Sequence, residues 1–112
     1  MEFAIKTKNM QLTPAIASVV QLRLESLARK VKRFGSSVTG EVEVGKTSNH
    51  HKKGEVFRAE IHVRLPGKLV YTESTQEDLY AAIGDAKRDA ERQVVDYKGK
   101  KLATDKRRQD KE

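Results

Sequence analysis

The sequence predicts a two-layer α+β domain, with a four-stranded sheet and two helices on one of its faces. Apolar and polar residues alternate with period two in four segments, as they do in strands with one buried face. Two longer segments carry apolar residues at spacings of three and four, as amphipathic helices do. The 112 residues, 37% of them hydrophobic, are enough for one modest core. The predicted order of elements is β-α-β-β-β-α.

The first strand and the first helix are predicted in the N-terminal third of the chain. Residues 3–8 alternate between apolar or small and basic positions, which is typical of a strand. Thr13 before Pro14 is typical of a helix start, because the hydroxyl caps the helix and proline is tolerated in its first turn. We expect one helix that ends at Gly35. Its apolar stripe consists of Ile16, Val20, Leu24, Leu27, Val31 and Phe34.

The middle of the chain predicts three further strands in a meander. Residues 38–44 and 57–65 alternate between apolar and polar positions. Pro66 and Gly67 fit a type II turn, because proline presets φ and glycine accepts a positive φ at the next position. A fourth strand is therefore expected at residues 69–72, antiparallel to the third. The first two strands, which a helix joins, should be parallel.

The second helix is predicted to begin beside one of two capping boxes. Thr75 with Asp78, or Ser74 with Glu77, has the required spacing of three residues. Gly84 in the helix interior costs up to about 1 kcal/mol relative to alanine. The inward stripe of this helix consists of Leu79, Ile83, Ala86, Ala90, Val94 and Tyr97.

Positive charge is concentrated at the C-terminal end. The formal net charge of +7 and the pI near 9.7 favour an anionic partner. Residues 98–112 carry seven Lys or Arg against three acidic residues, whereas the preceding residues carry sixteen against thirteen. The apolar periodicity ends after Gly99. Residues 99–112 are therefore expected to form a basic, disordered tail behind a domain of residues 1–98.

The composition argues against several other classes of protein. There is no cysteine, which suits a reducing compartment, and the sequence shows neither a signal peptide nor a run of about 20 apolar residues. A cytoplasmic protein that acts away from membranes is therefore expected. Serines and carboxylates show no catalytic spacing, so the sequence predicts neither an enzyme nor a site for a cofactor or a small-molecule substrate.

The three histidines do not predict a metal site. His50 and His51 are adjacent in a basic loop, and His62 lies on the solvent-facing side of the third predicted strand. A zinc site needs at least three ligands that converge from fixed elements. Contact with phosphate, or simple exposure to solvent, explains these side chains better.

Nucleic-acid binding is the function class that the charge favours, but several known modes do not fit. A single-strand reader stacks bases on aromatic residues of its open sheet face, whereas Phe3 and Phe57 are predicted on the buried face. The G-x-x-G segment of a KH domain is absent from the sequence. A double-stranded RNA-binding domain presents basic residues at the start of its last helix, where this chain has Glu77 and Asp78, which would repel phosphate.

Basic side chains on the two helices offer another way to hold folded RNA, by its backbone and its shape. These side chains are Arg23 and Lys30 on the first helix and Lys87, Arg88, Arg92 and Lys98 on the second. The alternative is a solvated helix surface, in which Asp89 and Glu91 serve as local ion-pair partners.

A series of short segments matches the motifs of one family in order. The segments are Asn-Met-Gln-Leu-Thr-Pro-Ala-Ile at 9–16, His-Lys-Lys-Gly at 51–54, Leu-Pro-Gly at 65–67, Asp-Leu-Tyr-Ala-Ala-Ile at 78–83, Glu-Arg-Gln at 91–93 and Tyr-Lys at 97–98. The chain thereby resembles the ribosome hibernation promoting factor and ribosome-associated inhibitor A family, or sigma-54 modulation proteins, over roughly residues 1–101.

The resemblance implies binding to the small ribosomal subunit and its rRNA, in the channel for messenger RNA and for the anticodon ends of transfer RNAs in the A and P sites. Translation initiation would be blocked by steric occlusion. Arg23 and Arg92 match positions where the family presents basic side chains, and we predict that they contact rRNA phosphates. Further candidates, chosen from charge and placement, are Lys30, Lys87, Arg88, Lys98, Lys100 and Lys101.

The chain also departs from the family pattern. Gly84 stands where members often carry an acidic or amide residue, and Asp89 and Asp96 stand where lysines are common, so the basic patch on the second helix is thinner. The chain ends soon after the tail, as short forms of the family do. By itself it is therefore expected to inactivate single ribosomes, or to pair them only with help from another factor. We also expect it to be a monomer when free.

Two other functions are compatible with the sequence. A general RNA-binding or RNA-chaperone module would act mainly through the tail at residues 99–112. A protein-interaction adaptor would use the open face of the sheet, where Arg58, His62 and Arg64 are predicted.

Overall fold

The structure, a computed structural model, describes residues 2–47 and 56–110, with side chains described as far as Lys101. Its elements are β1 (Ala4–Lys8), α1 (Pro14–Arg23), α2 (Glu25–Lys32), β2 (Thr39–Lys46), β3 (Phe57–Leu65), β4 (Lys68–Gln76) and α3 (Leu79–Asp110). The basic loop at residues 50–54, for which the sequence suggested a contact with phosphate, lies outside the described residues.

The four strands form one sheet in the order β1-β2-β3-β4. As predicted, β1 is parallel to β2, whereas β3 is antiparallel to both of its neighbours. The predicted turn joins β3 to β4, and Gly67 has a φ of 78°. The helix α3 packs against β3 and β4, and α1 and α2 pack beside α3. The α+β architecture expected from the sequence is confirmed.

The hydrophobic core lies between the helices and the inner face of the sheet. Both predicted helical stripes face it, and its fully buried helical members are Val20, Leu27, Val31, Ala82, Ile83, Ala86 and Ala90. The alanines of α3 allow its backbone to approach the sheet closely. Thr72 on the inner face of β4 is buried, and its hydroxyl donates to the carbonyl of Ala86 at 2.9 Å. This hydrogen bond satisfies a polar side chain inside the core.

The sequence predicted one helix between Thr13 and Gly35, but the structure has two. Thr13 caps α1 as expected, since its hydroxyl accepts the N–H of Ile16 at 3.1 Å. Helical geometry breaks at Leu24, which has φ −92° and ψ 1° although its N–H still bonds to the carbonyl of Val20 at 3.0 Å. Leu24 is buried and no glycine or proline marks this point. Apolar spacing alone therefore could not reveal the break.

The start of α3 also differs from the prediction. Asp78 caps this helix, because its Oδ1 accepts the N–H of Tyr80 at 3.2 Å. Both predicted capping boxes are therefore wrong, since β4 continues to Gln76 and includes Ser74 and Thr75. Ser74 is buried against α3, so packing of the strand outweighs the local capping pattern.

The last helix does not end at Gly99 but continues to Asp110. A glycine inside a helix costs only about 1 kcal/mol relative to alanine, and lysine, leucine, alanine and arginine, which dominate the following residues, are good helix formers. The backbone of residues 99–110 is therefore helical where the sequence predicted an irregular tail. The division into a binding domain of residues 1–98 and a separate basic segment stays a prediction.

A contact between α3 and the turn after β3 ties the helix to one end of the sheet. The hydroxyl of Tyr97 donates to the carbonyl of Pro66 at 2.6 Å. The ring of Tyr97 also stacks on Phe34 with 5.8 Å between centroids. A Cβ added to Gly67 would lie 2.8 Å from the Tyr97 hydroxyl. Glycine is thus required there both by the positive φ and by this hydroxyl.

A second contact joins α3 to α2. The carboxylate of Glu91 accepts hydrogen bonds from the hydroxyl of Ser26 and from the ammonium group of Lys30, the latter at 3.2 Å. Partial burial opposes ionisation of Glu91, but the hydrogen bonds from Ser26 and Lys30 outweigh it and hold its pKa below the ordinary value. The ionised carboxylate therefore stabilises the pairing of the two helices.

Replacement of Gly67 by alanine should lower the free energy of unfolding by about 1–3 kcal/mol, because a left-handed backbone strains any other residue and the new Cβ meets the Tyr97 hydroxyl. Gly99→Ala is the matched control, since no atom lies within 4 Å of its added Cβ. That change should raise the free energy by up to about 1 kcal/mol. Urea unfolding of both variants checks the prediction, and equal effects of the two changes would contradict it.

Glu91→Gln should destabilise the protein by about 1 kcal/mol near neutral pH, because it removes a charge-assisted bond between helices. The pKa of Glu91 is depressed in the folded state, so its contribution is present above the ordinary value of 4.5 and is lost as the pH falls through the folded-state value. The difference between wild type and variant should therefore shrink by about pH 3. Glu25→Gln, an exposed change on α2, is the control, and a pH-independent difference in urea unfolding would refute the assignment.

Candidate nucleic-acid interface

The solvent-facing side of the three helices carries most of the cations predicted to contact RNA. We call this surface the helix face and define it by Arg23, Lys30, Lys87, Arg88 and Arg92. Arg23 is the last residue of α1, and Arg88 and Arg92 lie one turn apart on α3. All three arginines are exposed. The structure thus brings both predicted phosphate contacts, from two separate segments of the chain, to one side of the molecule.

Arg23 and Arg88 meet at a recess of about 370 Å³ between the end of α1 and the first turns of α3. The guanidinium of Arg23 lies over the ring of Tyr80, 6.0 Å from its centroid, which is a cation–π contact. Gly84 also lines the recess. Sequence reasoning missed Tyr80. The available signal was its position, because it follows the buried Leu79 and so falls outside the inward stripe of α3.

Arg88 and Arg92 of α3 each have an acidic neighbour. Arg88 lies 3.4 Å from Asp85, and Arg92 lies 3.0 Å from Asp89. The sequence predicted that Asp89 thins the basic patch, and in the structure Asp89 forms an ion pair with Arg92. Exposed pairs of this kind contribute only about 0–1 kcal/mol. Both guanidinium groups can consequently exchange their carboxylate partners for a phosphate at small cost.

Lys30 and Lys87 occupy a different position from the arginines. Both are half-buried and both act on Glu91, which Lys30 contacts directly and Lys87 stabilises by its charge. Much of their charge is balanced within the protein. The structure therefore places both predicted site residues beside Glu91, where Lys30 pairs α2 with α3 and Lys87 acts on Glu91 from within α3 itself.

Lys98, Lys100 and Lys101 are exposed and lie on α3 after Tyr97, the last residue seen to anchor this helix to the sheet turn. At about 1.5 Å per helical residue, Lys101 is roughly 13 Å along the axis from Arg92. These lysines extend the basic surface along the helix. They are separate from the recess formed by Arg23 and Arg88.

The open face of the sheet is balanced in charge, unlike the helix face. Strand register places four basic and four acidic side chains on it. They are Lys6, Lys8, Arg58, Arg64, Glu41, Glu43, Glu60 and Glu73. Lys6 pairs with Glu41 at 2.9 Å, and Arg58 pairs with both Glu60 and Glu73. The acidic side chains make this face a poor surface for a phosphate backbone.

Two aromatic rings lie on this open face, His62, which the sequence predicted there, and Tyr71, which it did not. They stand opposite each other on β3 and β4, with an edge-to-face contact of 4.7 Å between centroids. The Tyr71 hydroxyl donates to Glu73 at 2.6 Å, and this hydrogen bond raises the pKa of Tyr71. The open face therefore has an aromatic pair with the carboxylate of Glu73 beside it.

Neither a metal centre nor a membrane span is found in the part of the chain that the structure describes. No three histidine or acidic side chains of residues 2–47 and 56–110 converge as metal ligands. Over the same residues, no helix is both long and apolar enough to cross a bilayer.

The fold and the helix face can be compared with those of known proteins. The N-terminal domain of Protein Y from Thermus thermophilus is 32% identical to this chain, with a TM-score of 0.67 over 87% of this chain and 99% of that one. A ribosomal subunit interface protein from Coxiella burnetii is 16% identical and shares the fold, with a TM-score of 0.59 over 88% and 99% of the two chains.

No curated protein sequence matches the chain significantly. A family model does match, and it covers residues 3–102, which include every strand, both short helices and the recess. The chain therefore belongs to the sigma 54 modulation protein / S30EA ribosomal protein family.

Proposed function

We propose that this protein is a ribosome hibernation factor. It binds the small ribosomal subunit in the channel for messenger RNA and transfer RNA, and it blocks translation initiation by occupying that channel. The observation that carries the proposal is the segregation of charge, because the exposed Arg23, Arg88 and Arg92 gather on the helix face while the open sheet face is balanced. Such a one-sided basic surface suits the phosphate backbone of folded RNA.

Membership of the family also supports this proposal. The family is one of ribosome-associated proteins, and Protein Y of Thermus thermophilus is similar to this chain over nearly its whole domain. Association with ribosomes also implies action in the cytoplasm. Inhibition by occlusion requires no catalytic group, only a folded body that binds where other ligands must pass.

The C-terminal segment supports one competing proposal, a general RNA-binding module. Residues 98–112 hold seven of the 23 basic residues, and α3 carries the backbone of residues 98–110 away from the sheet turn as a continuous helix. Deletion of residues 99–112 separates the two proposals. Loss of nearly all small-subunit binding would favour the RNA-binding module, whereas binding by the helix face should survive the deletion.

Charge reversal of Arg23 and Arg92 together to glutamate should weaken binding to purified small subunits roughly a hundredfold, because two charge-assisted contacts are lost. The slope of affinity against salt should also fall by about one for each phosphate contact removed. Fluorescence anisotropy at several salt concentrations measures both effects.

Lys8→Glu with Arg64→Glu is the matched control, because it changes the net charge equally on the open sheet face. It should leave binding nearly unchanged at moderate salt. If the control abolishes binding while the helix-face variant retains it, the protein acts as an adaptor through its sheet face and the proposed mode is wrong.

Asp89→Asn should tighten small-subunit binding about two- to fivefold, because it releases the guanidinium of Arg92 from an exposed ion pair. Asp96→Asn makes the same change of charge one helical turn after Arg92 and is the control. Titration of both variants in one buffer compares them directly. Equal tightening would indicate a general effect of net charge and would argue against a specific contact by Arg92.

A further inference from the structure

We propose that the recess between α1 and the first turns of α3 binds one unpaired nucleotide of RNA, with its base against Tyr80 and Gly84 and its phosphate between Arg23 and Arg88. The inference rests on the proposed function for the identity of the RNA. It goes further in naming which part of the RNA is recognised, and by which groups.

The recess combines the groups that an unpaired nucleotide needs. Arg23 and Arg88 supply two guanidinium groups, which bind phosphate in a bidentate fashion. The guanidinium of Arg23 lies over the half-buried ring of Tyr80, and bases stack on guanidinium planes as well as on aromatic rings. Among the described side chains of the helix face, neither Arg88 nor Arg92 makes a contact with an aromatic ring. On the sheet, Arg58 contacts Tyr71 through its hydroxyl.

Gly84 gives independent support, because the fold does not require a glycine at this position. Its φ is not in the left-handed region, and an added Cβ would lie 3.6 Å from Arg88 Nη1, an ordinary contact. The helix thus accepts a residue that costs about 0.5–1 kcal/mol relative to alanine without any gain in packing. Gly84 instead keeps the floor of the recess bare, so that a flat ligand can approach the helix backbone.

Hydrogen bonds within the protein fix the two acidic side chains at the rim of the recess, Asp78 and Asp85. Asp78 Oδ1 caps α3 through the N–H of Tyr80, and Asp85 Oδ2 accepts the hydroxyl of Ser74 at 2.8 Å. The hydrogen bond from Ser74, aided by Arg88, lowers the pKa of Asp85. Asp85 therefore stays ionised, and the remaining lone pairs of the two carboxyl groups can accept the amino groups of a base edge.

The open shape of the recess favours a nucleotide within an RNA strand over a free nucleotide. Both arginines at its rim are exposed, so a free nucleotide would keep much of its surface in water. A nucleotide in a strand has neighbours on either side, and Arg92 lies one turn beyond Arg88 to receive the next phosphate.

Gly84→Ala is the sharpest test, because its effects on stability and on binding should have opposite signs. The variant should have a higher melting temperature than wild type and should bind small subunits about tenfold or more weakly, since a methyl group fills the floor of the recess. Gly99→Ala is the matched control on the same helix, and it should raise the melting temperature without weakening binding. Equal affinity of the two variants would overturn the proposal.

Variants of Tyr80 test the aromatic wall. Tyr80→Phe should bind like wild type, because the ring is retained, and Tyr80→Leu should bind roughly 5- to 150-fold more weakly because the stacking surface is lost. Comparable losses for both variants would indicate that the hydroxyl, and not the ring, is recognised.

A second measurement separates this inference from the proposed function. A short single-stranded RNA hexanucleotide is titrated into the wild-type protein and followed by NMR. If the wild-type protein fails to bind small subunits, the proposed function is wrong. The RNA titration then tests by itself whether the recess binds a nucleotide. Shifts at the Gly84 amide and the Tyr80 ring would support the nucleotide site, whereas no shift there at millimolar RNA would overturn it.

Discussion

Close packing of α3 on the sheet is the constraint on which the rest of the structure depends. Ala82, Ala86 and Ala90 remove side-chain bulk along one stripe, so the helix backbone comes near the inner face of β3 and β4. The hydroxyl of Thr72 then reaches the carbonyl of Ala86 at 2.9 Å. A polar group thereby enters the core with its hydrogen bond satisfied, and the rotation of α3 about its own axis is determined.

That rotation decides the chemistry of the surface. With the alanine stripe against the sheet, Arg88 and Arg92 face solvent, and Arg88 lies across the recess from Arg23 at the end of α1. The same packing buries one side of the sheet and leaves the other in water. Because four basic and four acidic side chains lie on that open side, its charges cancel. The molecule therefore has one basic side and one neutral side although its strands and helices both carry many charges.

The acidic residues of α3 have different roles. Their spacing in the sequence does not show which residue has which role. Glu91 joins α2 to α3 through Ser26 and Lys30, so it belongs to the structure of the interface. Asp85 and Asp89 lie beside the exposed Arg88 and Arg92 and pair with their guanidinium groups. Exposed pairs of this kind are weak in water.

The sequence by itself determined the α+β layout, the parallel and antiparallel pairing, the Pro66-Gly67 turn and the two apolar stripes, because each depends on a local period or on the backbone preference of one residue. Through the family resemblance it also predicted that Arg23 and Arg92 contact rRNA phosphates, and this stays a prediction. Only the tertiary structure decided which basic side chains lie together at the recess, that Tyr80 lies there with them, and that Glu91 forms an ion pair with Lys30. The break at Leu24 and the helix beyond Gly99 likewise escaped the pattern, since burial and neighbouring residues outweigh a single local signal. Contacts between residues far apart in the chain have no period, and so no reading of spacing alone could supply them.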